Sequence, residues 1–190
     1  MTVRLLIDSL GSHGDGIART ERGQVFVPFT LPGEVVNAAV ERDRGTLMAV
    51  VEPSPLRVEP PCRHFGTCGG CSLQHMEAQA YRAFKAERVA AALKRERIEI
   101  DLEPLISCAP DSRRRVVLSA RKTADRMLLG YHRMQSSEIV DIEECRIAVP
   151  AIVTALPMLR NLAALACRTA TPFHLTVTAT DNGLDVAFAD

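Results

Sequence analysis

The sequence has no tryptophan, only two tyrosines and six phenylalanines, which speaks against a broad aromatic platform for stacking bases or sugars. It has no excess of charge: 23 Lys and Arg face 23 Asp and Glu. A uniformly basic nucleic-acid binder is thereby set aside. It also lacks a long apolar run. The opening "MTVRLLIDSLGSHGDG" breaks at Asp8, before any signal-peptide core can form. The most apolar later stretch, "AVPAIVTALPMLRNLAALAC", is interrupted by Pro150, Pro157, Arg160 and Asn161, and reads as a buried helix and not a membrane span. The chain reads as cytoplasmic, without a membrane partner.

What is present is unevenly distributed. Residues 56–100 hold eight basic and five acidic groups, whereas residues 1–55 hold five and seven. Three of the six cysteines fall within ten positions, in "PCRHFGTCGGCSLQH". A reducing cytosol disfavours a disulfide framework, so clustered thiols there point to a metal site or redox chemistry. Five residues separate Cys62 from Cys68, and two separate Cys68 from Cys71. The Cys-x-x-Cys pair can turn two thiolates onto one centre, with Gly69 and Gly70 allowing a tight backbone. Structural zinc usually draws on two short pairs. Three local thiols plus one distant one are closer to iron–sulfur ligation. Spacing leaves iron–sulfur, zinc and unliganded thiols open. The fourth ligand can be Cys108, Cys145 or Cys167; context favours Cys145, which follows a strand and precedes Pro150. His64, between ligands, reads as a hydrogen-bonding neighbour of the site.

Along the chain, residues 2–53 read as five short strands, "VRLLIDSL", "IART", "QVFVPF", "VVNAAVE" and "TLMAVVE", divided by glycine-bearing turns. This pattern predicts a small β-barrel over residues 1–55. Pro32-Gly33 suits a type II turn. In the third strand, Phe26 is expected to face the core, with Val25 and Val27 outward, while Phe29 is the aromatic expected at the surface. "PSPLRVEPPC" predicts a stiff extended linker, opening a second domain over 56–190. A helix is expected over 73–97, where Leu73, Met76, Ala80, Phe84, Val89 and Leu93 form a core stripe. Strands "RRRVVLSARK", "RMLLGYHR" and "SEIVDIEEC" follow, then a helix near 149–166 and a hairpin at Asp181-Asn182-Gly183. Alternation puts Arg113, Arg115 and Arg121 on one strand face, beside Lys122; the face is either a phosphate-contacting stripe or a solvated surface. His75 and His132 read as structural histidines.

Several of these stretches together resemble the amino-terminal half of the ribosomal RNA uracil-C5 methyltransferases. "GSHGDGIA" and "VFVPFTLPGEVV" are similar to that family's TRAM domain, and "CRHFGTCGGCSLQH" to its cysteine motif. "YRAFKAERVAAAL" looks like the helix after it, and "LLGYHRMQSSEIVDIEEC" like the segment carrying the fourth cysteine. The resemblance implies an α+β chain: an OB-like five-stranded TRAM barrel followed by an incomplete iron–sulfur α/β central domain. It implies a [4Fe-4S] cluster on Cys62, Cys68, Cys71 and Cys145, with ribosomal RNA as partner.

The family's aromatic and basic "YRNR"-like stretch is replaced here by Ser112-Arg113-Arg114-Arg115. Phe29, Arg113, Arg115, Arg121 and Lys122 are the candidate RNA contacts. No catalytic residue is assigned. The family binds S-adenosylmethionine through a glycine-rich turn, and "FGTCGG" does not match that turn. The cofactor is expected only in a complete enzyme, whose carboxy-terminal methyltransferase domain is an expected intramolecular partner. The expected function is the RNA-binding and cluster-binding part of an rRNA uracil-C5 methyltransferase, inactive alone. The alternative is a stand-alone iron–sulfur or zinc RNA-binding accessory protein.

Overall fold

The computed structural model describes residues 2–169 and 171–189. The chain divides into two compact units: Met1–Pro60 with Ser72–Ser107, and Pro61–Cys71 with Cys108–Asp190.

In the first unit, β1 (Thr2–Leu6), β2 (Ser9–Leu10), β3 (Gly16–Thr20), β4 (Gly23–Val27), β5 (Val35–Glu41) and β6 (Arg44–Glu52) form one sheet, in the order β1-β5-β6-β4-β3-β2. The two end strands are consecutive in the chain, so the sheet curls. The expected first strand is broken at Ile7-Asp8, giving six strands where five were predicted. The break has a physical cause. Ile7 N–H donates to Glu34 O, whereas Asp8 N–H donates to Ile17 O, so the chain changes pairing partner between adjacent residues. Asp8 then accepts from Arg19 N–H through Oδ2 at 2.8 Å.

Leu5, Ile7, Ala18, Val25, Val27, Val36 and Ala38 fill the inside of this sheet. Val25 and Val27 therefore point inward, and the expectation for Phe26 is reversed. Its ring lies half-buried on the other face, with the Arg44 guanidinium 5.3 Å from its centroid. Two valines bury more readily at a narrow sheet interior than one large ring, and period-2 alternation then fixes all three. Pro32-Gly33 forms the expected turn, with Gly33 at φ 82° and Glu34 N–H donating to Leu31 O.

The proline-rich segment is not extended throughout: Arg57 N–H donates to Ser54 O, closing a turn, and the chain on either side pairs with neighbouring chain. Val58 N–H donates to His75 O, and Glu77 N–H to Leu56 O. Helix α1 (Ala78–Arg95) starts later than the sequence pattern suggests, because Glu77 caps it, its carboxylate accepting from Gln79 and Ala80 N–H. Leu73 and Met76 precede the helix and are buried with Leu31, while Ala80 and Phe84 are only partly buried against them. No residue of α1 is fully buried, so the expected core stripe extends only part of the way.

The second unit is built on β7 (Arg115–Lys122), β8 (Met127–His132), β9 (Ile139–Asp141), β10 (Phe173–Thr180) and β11 (Gly183–Ala189), ordered β11-β10-β7-β8-β9. Every pairing is antiparallel. This corrects the α/β expectation for this part: among the described residues its strands form an antiparallel sheet with helices, without a parallel βαβ crossover. Short helix α2 (Pro150–Thr154) and α3 (Leu156–Ala166) replace the single expected helix. Ile152, Leu156, Leu159 and Ala163 pack with Val116, Leu118, Leu129, Leu175 and Val177 into the core. Each fully buried leucine or isoleucine contributes about 1.5–3 kcal/mol relative to exposure. Arg160 donates to Asp141 Oδ1 through Nε and Nη2, tying α3 to β9. Among the described residues, no helix is long and apolar enough to cross a membrane.

Candidate functional site

All four cysteines singled out by the motif lie in the second unit, each half-buried. The loop carrying Cys62, Cys68 and Cys71 is fixed to β8. Gly69 N–H donates to His132 O at 2.9 Å, and Cys68 bridges to Arg133. Gly69 is required by the closeness of this approach, since a Cβ there would lie 2.7 Å from His132 O and 2.8 Å from Met134 N.

The segment carrying Cys145 is latched to the same loop from the other side. Arg63 N–H donates to Glu144 Oε1 at 2.8 Å, and Arg63 Nη1 donates to Glu143 Oε2 at 2.9 Å. Glu143 N–H donates to His64 Nε2 at 3.1 Å, and Arg146 Nε donates to Pro61 O at 3.3 Å. His64 thus uses Nε2 to accept a backbone hydrogen bond, which suits a bracing role between the two segments. The Arg63 N–H bond also helps hold the Glu144 carboxyl below the usual carboxylate range.

The thiols sense one another. Burial first pushes the Cys68 thiol up; Gly70 N–H opposes this, while the neighbouring charges of Cys71, Cys145 and Cys62 add to it. Thiolates near one another repel, and a positive centre among them would relieve that repulsion. The donor set is all sulfur, which suits iron–sulfur or zinc chemistry and not a hard oxygen-seeking cation. In that respect the residues present fit a four-thiolate group. Among the described residues, however, no group of three or more histidine, cysteine or carboxylate side chains is placed so that it could hold a metal ion. The remaining two cysteines are elsewhere: Cys108 is exposed, and Cys167 donates to Thr169 O while packing on the core.

Sequence reasoning missed Tyr131. It is partly buried and packs against the core, as Val140 and Cys145 do. Burial, then the Cys145 neighbour, push its phenol well above the ordinary range. The pairing of β8 with β9 was the signal available, since it brings the end of "LLGYH" beside the strand leading to Cys145.

The predicted RNA contacts are only partly brought together. Arg115 and Arg121 share the face of β7 opposite the core, with half-exposed Val117 and buried Ser119 between them. Lys122 falls on the other face at the strand end. Arg113 precedes the strand and pairs through its backbone with Ile147 and Val149. Arg114 turns to Ala179 O and Asp181. On the Arg115 face, Ser119 Oγ lies 3.0 Å from His132 Nε2 and 3.3 Å from His174 Nδ1, a pairing the sequence did not announce. Phe29 is in the first unit, half-buried at φ 64°, its carbonyl accepting from Arg57 Nη2 at 2.8 Å.

Also in the first unit, Glu34 and His75 are fully buried. Burial raises Glu34, but donors from Arg57, Leu31 and Ser54 outweigh it and hold the carboxyl low. Burial, and then the Arg57 charge, push His75 down to about 4.

Comparison with known proteins places these features. Residues 1–47 match the family model of the TRAM domain. An uncharacterized RNA methyltransferase of Mesorhizobium japonicum is 56% identical over 187 residues, covering 98% of this chain and 45% of the relative. One from Brucella suis is 50% identical over 186 residues, with the same coverage. The 23S rRNA (uracil(1939)-C(5))-methyltransferase RlmD of Halomonas elongata is 37% identical over 166 residues, 83% of this chain and 34% of the relative. The chain therefore spans a little under half the length of these first two RNA methyltransferases. Residues 1–47 are a TRAM domain, and the chain is homologous to the amino-terminal part of RNA methyltransferases, the RlmD uracil-C5 enzymes among them.

Proposed function

We propose that this chain is the RNA-binding and [4Fe-4S]-binding part of an S-adenosylmethionine-dependent methyltransferase acting at uracil C5 of ribosomal RNA. The observation that carries the reading is the latching of the segment around Cys145 to the Cys62–Cys71 loop through Glu143, Glu144 and Arg146, in a chain aligned over 98% of its length with an RNA methyltransferase. Cys62, Cys68, Cys71 and Cys145 hold the cluster, which ties two distant segments together and makes its binding free energy part of folding. Methyl transfer draws on S-adenosylmethionine, whose site belongs to the part of the relatives that this chain does not match. The chain's own residues grip RNA. Arg115 and Arg121 contact phosphates from one sheet face, with Arg113 and Lys122 at its margins, and Phe29 offers a ring edge on the TRAM domain.

The test joins metal analysis to RNA binding. Anaerobically purified protein is expected to hold about four irons and matching sulfide per chain, with absorbance near ~400 nm. It is expected to bind single-stranded ribosomal RNA with salt-dependent affinity, and to transfer no methyl group alone. Substituting Arg115 or Arg121 by Ala should lower the log–log salt slope by about one each. Zinc in place of iron overturns the cluster, and salt-indifferent RNA affinity overturns the arginine face.

A further inference from the structure

The face of the second-unit sheet that carries Arg115 and Arg121 also holds a polar cluster. Ser119 is 4% exposed, and its Oγ lies 3.0 Å from His132 Nε2 and 3.3 Å from His174 Nδ1. The two imidazole rings stand 6.5 Å apart at 67°. His174 sits opposite Ser119 in the β10–β7 ladder and is exposed, whereas His132 is half-buried. A hydroxyl has one proton to give, so Ser119 donates to one imidazole and accepts from the other. Two directions satisfy this, and burial selects between them. His132 Nδ1 is buried, and among the described residues nothing hydrogen-bonds to it. A proton there would be a buried donor without an acceptor, the rarer kind of orphan. His132 therefore carries its proton on Nε2 and donates to Ser119 Oγ, and the Ser119 hydroxyl donates to His174 Nδ1. His174 is left with its proton on Nε2, the nitrogen that Ser119 does not engage.

We propose that His174 is a further RNA contact, its Nε2–H donating to a phosphate oxygen, with Ser119 and His132 as positioning residues that fix its ring and its tautomer. This inference rests on the RNA-gripping sheet face proposed above. Arg115 and Arg121 lie on the neighbouring strand, and Ser119, the residue facing His174, falls between them. At about 3.3 Å per residue the two arginines are roughly 20 Å apart along β7, a span with room for a third donor. A neutral N–H bonded to a phosphate oxygen is a charge-assisted hydrogen bond, yet it displaces no counterion. Its contribution is to affinity and register, and the salt dependence stays with the arginines.

The tautomer is tested first, in the full chain without RNA at about pH 8, above the ordinary histidine range. Long-range proton–nitrogen spectra of the imidazoles are expected to show His174 protonated on Nε2, its signals identified by their loss in His174→Gln. Ser119→Ala should move the His174 Nδ1 resonance, since the donated hydrogen bond is gone. A His174 proton on Nδ1, or an Nδ1 resonance indifferent to Ser119→Ala, overturns the proposal. Fluorescence anisotropy with an oligouridylate at the same pH gives the second readout. His174→Ala is expected to bind roughly tenfold more weakly at an unchanged log–log salt slope. His174→Gln, which keeps an N–H donor, should recover most of that loss. Parental affinity in His174→Ala overturns the contact. Arg115→Ala tests the face separately: a parental salt slope there overturns the arginine reading, while the histidine is judged by its own affinity.

Discussion

Single residues here do their work through close approach. Gly69 lies so near the β8 backbone that a methyl group would meet two main-chain atoms, neither of which can rotate away. Gly69→Ala is therefore expected to push the cysteine loop off β8 and reduce iron retention to a small fraction of the parent, read by iron content after anaerobic gel filtration. His75 gives a prediction in pH. It is buried neutral, with a value near 4 against 6.5 in the unfolded chain. Between those values the unfolded chain binds more protons, so stability falls as pH drops from 6.5 toward 4. The loss is at most about 3 kcal/mol. Amide exchange of β1–β6 at pH 7 and pH 5 should record it, and His75→Gln should flatten the difference. Glu34 is held low, so its contribution is fully present above about 4.5 and is lost only in stronger acid, outside the comparison of pH 7 with pH 5.

At the scale of elements, legibility followed locality. Thr20 and Thr180 each donate through Oγ1 to the carbonyl of a glycine three positions on, and Thr123 does the same to Arg126. Gly23 and Gly183 supply the positive φ at two of these hairpins. Such turns are short-range chemistry, and the sequence announced their positions. The division of the first strand at Ile7-Asp8 depended on Ile17 and Glu34, residues far along the chain, and no local pattern encoded it. The facing of Phe26 failed for a related reason: alternation gives two phases, and only the width of the sheet interior selects one. The α3 contribution is testable alone. Leu159 is fully buried against the sheet, so Leu159→Ala is expected to cost about 2–5 kcal/mol in urea unfolding, with Arg160 still bonded to Asp141.

For the whole molecule, the decisive feature is that the chain enters the second unit twice. Pro61–Cys71 belongs with Cys108–Asp190, and Ser72–Ser107 returns to the first unit between them. The spacing of the first three cysteines was visible in sequence, but their tie to the segment before Cys145 runs through Arg63 and His64, whose partners lie some eighty residues on. Joining Cys145 to that loop closes residues 72–144 into a ring, removing unfolded-state freedom that hydrogen bonds alone would have to overcome. A four-thiol cluster at that junction should therefore make stability depend on metal. Iron chelation is expected to lower the thermal midpoint of the parent protein and of Cys108→Ser, whose thiol is exposed and away from the site. Cys145→Ser should begin at the lowered midpoint, carry little iron and respond no further to chelator. A Cys145→Ser protein with parental iron and midpoint would assign the fourth thiol elsewhere, with Cys167→Ser then the variant expected to lose it.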